Sequence, residues 1–178
     1  QPLEVVTATS MPRNRERWLL ARLQSSPALT VGLMHVPNYT TPRLKYPYLN
    51  AVLRMISAWE LGPGLLLGDT NCGKRELDEE KPQGGRFKRE HDWMLGIDKR
   101  GWSDGFRHLH GERREYTWYS HRNNGFRLDQ AYSSPQLTPA VKRLRHVWGK
   151  NPDQPDRREG LSDHAALILD LDLQQLQQ

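Results

Sequence analysis

Apolar and β-branched runs alternate along the chain with segments of helical period, a pattern that predicts a layered α/β or α+β domain. Leu3 to Thr7 reads as a strand. Asn14 is placed to cap a short helix running through Trp18, Leu19 and Leu23. Leu29 to Val36 (LTVGLMHV) reads as a strand that stops at Pro37. The clearest helical signal follows. Pro47 suits a first turn, and Leu49, Val52, Leu53, Ile56 and Trp59 recur at the spacing of one helix face. Gly62-Pro63-Gly64 breaks that helix, and Leu65-Leu66-Leu67 forms a fully apolar strand ending in Gly68-Asp69. Residues 73–90 are charged and aperiodic, which predicts a mobile surface loop. A second helix is expected over Glu90 to Ile97. Two strands, Tyr116–Ser120 and Arg127–Ser133, flank the turn signal Asn123-Asn124-Gly125. A Pro- and charge-rich loop occupies 149–160, and the last strand runs from about His164 to Leu171.

The bulk properties narrow this picture only a little. A chain of 178 residues can bury a core, and no repeat or shift in composition argues for a second domain. No apolar run approaches the ~20 residues that span a bilayer, so no membrane association is expected. The single cysteine, Cys72, excludes an internal disulfide framework and fits a reducing compartment, hence a cytoplasmic protein. It reads as a small packed residue rather than a thiolate. A net charge of +5 fits a polyanionic partner without requiring one.

Polar residues worth attention stand at the ends of the apolar strands, where backbone is rigid yet open to solvent. Four clusters qualify: His35-Val36-Pro37-Asn38, Gly68-Asp69-Thr70-Asn71, Arg127-Leu128-Asp129 and Ser162-Asp163-His164. In the second, Asp69 can accept a proton from water or bind a cation, and Asn71 can donate to a phosphate or orient water. An Asx-turn closing the strand accounts for the same tetrapeptide. Ser162-Asp163-His164 is no serine-hydrolase triad, because three consecutive residues cannot converge as nucleophile, base and orienter. Asp163 and His164 are expected to act separately, with Asp129 from a neighbouring strand holding His164. A loop that merely caps a strand is the other reading.

From about Leu29 to Leu171, these clusters in this order resemble the endonuclease/exonuclease/phosphatase superfamily, and within it the exonuclease III and apurinic-endonuclease branch. The match also takes in Gly101-Trp102-Ser103-Asp104-Gly105-Phe106-Arg107, Tyr116-Thr117-Trp118 and Gly125-Phe126-Arg127-Leu128-Asp129. The resemblance implies an α+β fold, a four-layer α/β/β/α sandwich with two mixed sheets packed face to face and helices outside. It implies one domain over residues 1–178. It also implies a Mg²⁺-dependent phosphodiesterase or nuclease, with Mn²⁺ as a possible substitute.

Position by position, Asp69 matches the general base or metal-coordinating aspartate, and Asn71 the asparagine that positions water and phosphate. His164 matches the histidine on the scissile phosphate, Asp129 the carboxylate that orients it, and Asp163 a residue at or near the metal. The implied metal set is therefore Asp163, Asp69 and Asn71. Asn38 matches a phosphate-contacting asparagine. His35 stands where the repair branch has tyrosine, which weakens an assignment to abasic-site cleavage. Trp118 matches an aromatic that packs on a sugar or base, and is equally readable as a core tryptophan. Trp102 and Phe106 are assigned to the core, and Arg107 to a structural ion pair.

The family begins with two further strands carrying a metal-binding glutamate and an asparagine. Glu4 and Glu16, the carboxylates preceding His35, do not match that glutamate. The expectation is that those strands lie outside this chain, which begins at Gln1, and that the chain is less stable and prone to aggregate. Three basic groups (Arg13, Arg15, Arg17; Arg86, Lys88, Arg89; Lys142, Arg143, Arg145) either track a nucleic-acid backbone or form a solvated surface. His108 and His110 lack the partners of a zinc site. The reading that results is a monomeric nuclease whose partner is DNA. The alternatives are a phosphatase or phosphodiesterase acting on a small phosphoester or lipid headgroup, and a catalytically defective nucleic-acid-binding fragment.

Overall fold

The chain's structure, a computed structural model, describes residues 3–8, 10–25, 27–82, 87–148 and 162–176. Its strands are β1 (Leu3–Val5), β2 (Trp18–Leu23), β3 (Leu29–His35), β4 (Gly64–Asp69), β5 (Ser103–Asp104), β6 (Trp118–Tyr119), β7 (Gly125–Phe126), β8 (Asp129–Ser133), β9 (Val141–Val147) and β10 (Ala166–Leu171). Helix α1 spans Pro42–Ser57, α2 Lys88–Asp98 and α3 Gly105–His110. Six strands form one sheet in the order β1-β2-β3-β4-β8-β5, mixed because β3 and β4 run parallel while the other pairs are antiparallel. Strands β9 and β10 make a separate antiparallel pair, and β6 and β7 a short hairpin.

The two faces of the large sheet explain the layers. Trp18, Leu20, Met34 and Leu66 point to one side, where they pack with Tyr48, Val52 and Met55 of α1 and Trp93, Met94 and Ile97 of α2. Leu29, Leu65 and Ala131 point to the other, against Leu144 of β9, Phe106 of α3 and the half-buried Leu167 and Leu169 of β10. This is the sheet-on-sheet sandwich with helices outside. Trp102 and Phe106 are core residues, as their pattern predicts, and Arg107 pairs with Asp78. Among the described residues no helix is long and apolar enough to cross a membrane.

Four expectations need correction. The helix predicted from Asn14 is a single 3-10 turn over Arg15–Arg17 followed by β2. Trp18 and Leu20 are buried while Leu19 is exposed, so the period is two, and antiparallel pairing with β3 outweighs local helical preference. Helix α1 starts five residues earlier than predicted, with Pro42 in the first turn and Pro47 inside, where its missing N–H forgoes one helical bond. The loop over 73–90 is anchored rather than free. Asp78 and Glu79 are buried, residues 83–86 lie outside the described set, and α2 already begins at Lys88. Lys142, Arg143 and Arg145 sit on a strand, β9, that the sequence pattern does not announce. The loop expected over 149–160 lies outside the described residues.

Candidate active site

Three strand ends fall side by side. His35 at the end of β3 pairs with Asp69 at the end of β4, and Asp69 pairs with Asp129 at the start of β8. The close approach that this needs depends on Gly68, whose φ is +136° and where a side-chain Cβ would collide with the Met34 carbonyl oxygen. After Asp69 the chain turns sharply. Asn71 adopts φ +47°, a conformation asparagine tolerates better than most residues. Its backbone N–H donates to Asp69 Oδ1 (2.9 Å) and its side-chain Nδ2 to Asp69 Oδ2 (3.0 Å) and the Val36 carbonyl (2.8 Å). The Asx-turn reading and the catalytic reading therefore describe one arrangement: the turn aims the Asp69 carboxylate.

His164 comes from the segment before β10 and bridges to Trp118 of β6. Its Nδ1 lies 2.8 Å from Asp129 Oδ2, the partnership expected from sequence. The carboxylate accepts, so Nδ1 carries the proton and Nε2 is left to face the cleft. Burial works against a charged ring, but the Asp129 hydrogen bond and the charges of Asp129, Asp69 and Asp163 together raise the His164 pKa. The Asp69 pKa is also raised, chiefly by desolvation and further by Asp129. The Asn71 N–H, His164 and His35 pull it partly back. A carboxylate so placed is a better proton acceptor than one in water.

His35, Asp69, Asn71 and His164 line a cleft of about 450 Å³ together with Arg17, Asn38, Tyr39, Lys45 and Trp118. His35 is exposed, with Nε2 3.9 Å from Asp69 Oδ2. Asn38 sits at the rim, its Oδ1 accepting from Thr40 N–H (3.1 Å). Trp118 is half-buried: it packs against Phe126 and also lines the cleft, so features of both readings are present. Its Nε1 donates to Asp163 Oδ2 at 3.0 Å, which turns Asp163 toward the tryptophan. Among the described residues no three His, Cys, Asp or Glu side chains converge as metal ligands, and His110 donates to the Leu144 carbonyl instead. Asp69 with Asn71 is the one metal-binding element that the predicted set brings together. It does not make a metal site by itself.

Sequence reasoning overlooked the groups that hold these residues in place. Thr117 is fully buried, and its Oγ1 accepts from the N–H groups of Leu128 (2.9 Å) and Asp129 (3.0 Å), while its carbonyl accepts from Ala165 N–H (2.8 Å). One residue thus ties the Asp129 strand to the His164 segment. Thr70 clamps the Leu128 carbonyl with both its N–H and its hydroxyl (2.9 Å each). Arg127 is fully buried between Asp78 (Nε to Oδ1, 2.7 Å) and Asp104 (Nη2 to Oδ2, 2.6 Å), which fixes the link from β7 to β8. Beneath the cleft, buried Lys45 joins Glu90 of α2 (2.7 Å) and donates to the Asn71 carbonyl (2.8 Å). The Gly-Phe-Arg-Leu-Asp and Tyr-Thr-Trp pieces were visible as motifs, but their partners lie far apart in the chain.

No family model matches the sequence. Among solved structures, a 3′ phosphatase from Neisseria, NExo, bound to a product DNA hairpin superposes with a TM-score of 0.75 at 22% identity. The match covers 97% of this chain and 71% of that one. An AP endonuclease from Archaeoglobus fulgidus gives 0.76 at 20% identity, covering 97% and 72%. The chain thus shares the fold of these two structures. An exodeoxyribonuclease of Streptococcus pneumoniae is 28% identical over 124 residues, which is 62% of this chain and 42% of that protein. Recombination repair protein 1 of Drosophila melanogaster is 31% identical over 113 residues, 56% of this chain and 16% of that protein. The chain thus spans less than half the length of these curated relatives.

Proposed function

We propose that this chain carries the reaction centre of a phosphoester hydrolase that cuts DNA phosphodiesters by attack of water. The observation that carries the reading is the facing of two pairs across one cleft: His164 held by Asp129, and Asp69 held by Asn71. A phosphodiester's transition state gathers negative charge on its oxygens, so a fixed cationic donor lowers the barrier directly. His164, whose pKa the Asp129 hydrogen bond raises against the effect of burial, supplies that donor at Nε2 when protonated. Asp69, its carboxylate made more basic by burial, accepts the proton of the attacking water. The Asn71 amide fixes the orientation of that carboxylate, and Asn38 and Trp118 stand where a phosphate oxygen and a sugar or base can rest. Relatives described as an exodeoxyribonuclease, a 3′ phosphatase with a DNA hairpin and an AP endonuclease support DNA as the substrate class.

Dependence on Mg²⁺, with Mn²⁺ as substitute, is part of the proposal, and the described residues do not by themselves complete a site for it. Mg²⁺ commonly keeps several waters and uses only one or two carboxylates plus substrate phosphate, so Asp69 is the residue that would hold it. Action as a monomer in the cytoplasm belongs to the same reading. Two alternatives have their own observation. His35 in place of the repair branch's tyrosine favours a small phosphoester, and the incomplete metal ligands favour a binding domain without turnover.

Hydrolysis of abasic duplex, linear duplex and a phosphomonoester, each with Mg²⁺ and with EDTA, separates the three. Cleavage of DNA that stops with EDTA and falls about 10²–10³-fold in Asp69→Asn and His164→Ala is the expected result. Near-normal turnover by either variant would overturn the mechanism. DNA binding without any cleavage would favour the binding domain.

A further inference from the structure

A second cavity, of about 270 Å³, opens between the end of α3 and strand β9, and it shares no lining residue with the cleft of Asp69 and His164. Three arginines line it: Arg113 from the chain after α3, and Arg143 and Arg145 from β9. Glu115 holds Arg113 (Nη2 to Oε2, 2.9 Å), and Asp170 holds Arg143 (Nε to Oδ2, 2.6 Å). Among the described residues no carboxylate pairs with Arg145. His146 also lines the cavity, with its side chain only 1% exposed and Nδ1 2.8 Å from Glu115 Oε1. That hydrogen bond is the first reason that the Glu115 pKa falls below its ordinary value, so the carboxylate accepts and Nδ1 carries the proton. Nε2 of His146 is then left buried with no hydrogen-bond partner among the described residues. A fold keeps such an atom at a cost unless something from outside supplies the partner. On the other side His110 is anchored by its Nε2, which donates to the Leu144 carbonyl at 2.9 Å. Trp148, packed on Tyr119, adds an aromatic surface.

We propose that this cavity is a binding site for the phosphate monoester of a small ring-bearing molecule, with Arg145 and His146 Nε2 on the phosphate and Trp148 against the ring. Charge decides the class of ligand. Three guanidiniums meet two carboxylates, so the cavity favours an anion and repels a metal cation. The planar fork of a guanidinium matches phosphate oxygens. With Glu115 at Nδ1 and a phosphate oxygen at Nε2, His146 is stabilised in its charged form from both sides, which a neutral ligand does not do. Size decides against a larger partner. Sites for drug-sized molecules start at about 300 Å³, so this cavity suits a smaller one. The site uses none of the residues of the proposed reaction and does not depend on it.

The test titrates the whole chain with phenyl phosphate, inorganic phosphate and benzoate, and follows the His146 ring by proton–nitrogen correlation NMR, with His146→Gln used to assign its signals. Phenyl phosphate is expected to shift the His146 Nε2 signal saturably, inorganic phosphate to do so more weakly, and benzoate least. Arg145→Met should weaken phenyl phosphate about tenfold. Arg145 is exposed, so its loss leaves the fold intact, and the other imidazole signals check this. Arg122→Met, which removes an exposed arginine outside the cavity, should change nothing. Trp148→Leu should weaken phenyl phosphate while inorganic phosphate stays within about twofold. His164→Ala should leave all three titrations as they are. A His146 signal that none of the three ligands moves overturns the proposal. Equal losses in Arg145→Met and Arg122→Met overturn it too, since the attraction would then be diffuse charge. Benzoate binding as tightly as phenyl phosphate overturns the phosphate class, and a loss in His164→Ala would put the anion in the other cleft.

Discussion

At the scale of single residues, the cleft sets two protonation states against each other. In the proposed reaction His164 donates only while charged, and Asp69 accepts only while ionised. Burial disfavours the charged form of both, but His164 gains more from Asp129 and the surrounding carboxylates than it loses, so its pKa rises. For Asp69 desolvation dominates over the Asn71 N–H and the nearby histidines, so its pKa rises too. The rate should therefore climb as Asp69 loses its proton and fall as His164 loses its own, with both limbs displaced to higher pH than the isolated groups would give. Stability follows the same sign for His164. Its folded pKa lies above the unfolded one, so the pair with Asp129 contributes fully below the unfolded value. That contribution is lost as pH rises through the folded value. Asp129→Asn should bring the His164 titration, read by NMR of the imidazole, and the alkaline limb of the pH–rate profile down together. An alkaline limb that does not move would mean that another group controls it.

At the scale of elements, the arrangement of the cleft depends on a buried threonine that joins three of them. Thr117 closes the β6 turn of chain onto the start of β8 and onto the segment that leads from His164 into β10. Thr117→Val keeps the shape but leaves the N–H groups of Leu128 and Asp129 without an acceptor, at a cost of about 3 kcal/mol. Denaturant melts should record that loss, and kcat should fall as Asp129 loses its fixed backbone, whereas Thr117→Ser should retain both. A Thr117→Val chain as stable as the parent would mean that water replaces the hydroxyl. This dependence marks the limit of what the sequence reveals. Asp69, Asn71, Asp129 and His164 were legible because each ends or begins an apolar run, a local signal. Strand β2 was misread because Trp18, Leu19 and Leu23 after a capping residue fit a helix until β3 supplies a partner. Strand β9 was missed because Val141, Leu144 and Val147 fall three apart among basic residues, and only pairing with β10 makes them a strand. Arg127 reaches Asp78 across 49 positions and Lys45 reaches Glu90 from another helix, so no local window holds either pair.

At the scale of the whole molecule, one face of the large sheet is only partly covered. The registers Leu3 with Leu23, Val5 with Ala21 and Leu19 with Leu33 put these side chains on the face that carries His35, Asp69 and Asp129 at its end. Near β4 and β8 that face is buried under β9, β10 and α3, but toward β1 it is open: Leu3 is 66% exposed, Val5 71%, Leu33 46% and Leu19 42%. Among the described residues strand β1 is also the sheet's edge, beside exposed leucine and valine. A long apolar face joined to an open edge favours association between copies more than isolated surface leucines do. The whole chain is therefore expected to scatter light increasingly with concentration and to melt with aggregation. Leu19→Thr combined with Leu33→Lys should suppress both, since these side chains gain little from burial and a charge on the open face opposes its burial against another copy. The six-stranded order should survive, because Trp18, Leu20 and Met34 on the opposite face hold β2 and β3 against α1. Light scattering during a thermal ramp checks the expectation. A reversible, cooperative melt of the unsubstituted monomer would show that the open face is tolerated as it stands.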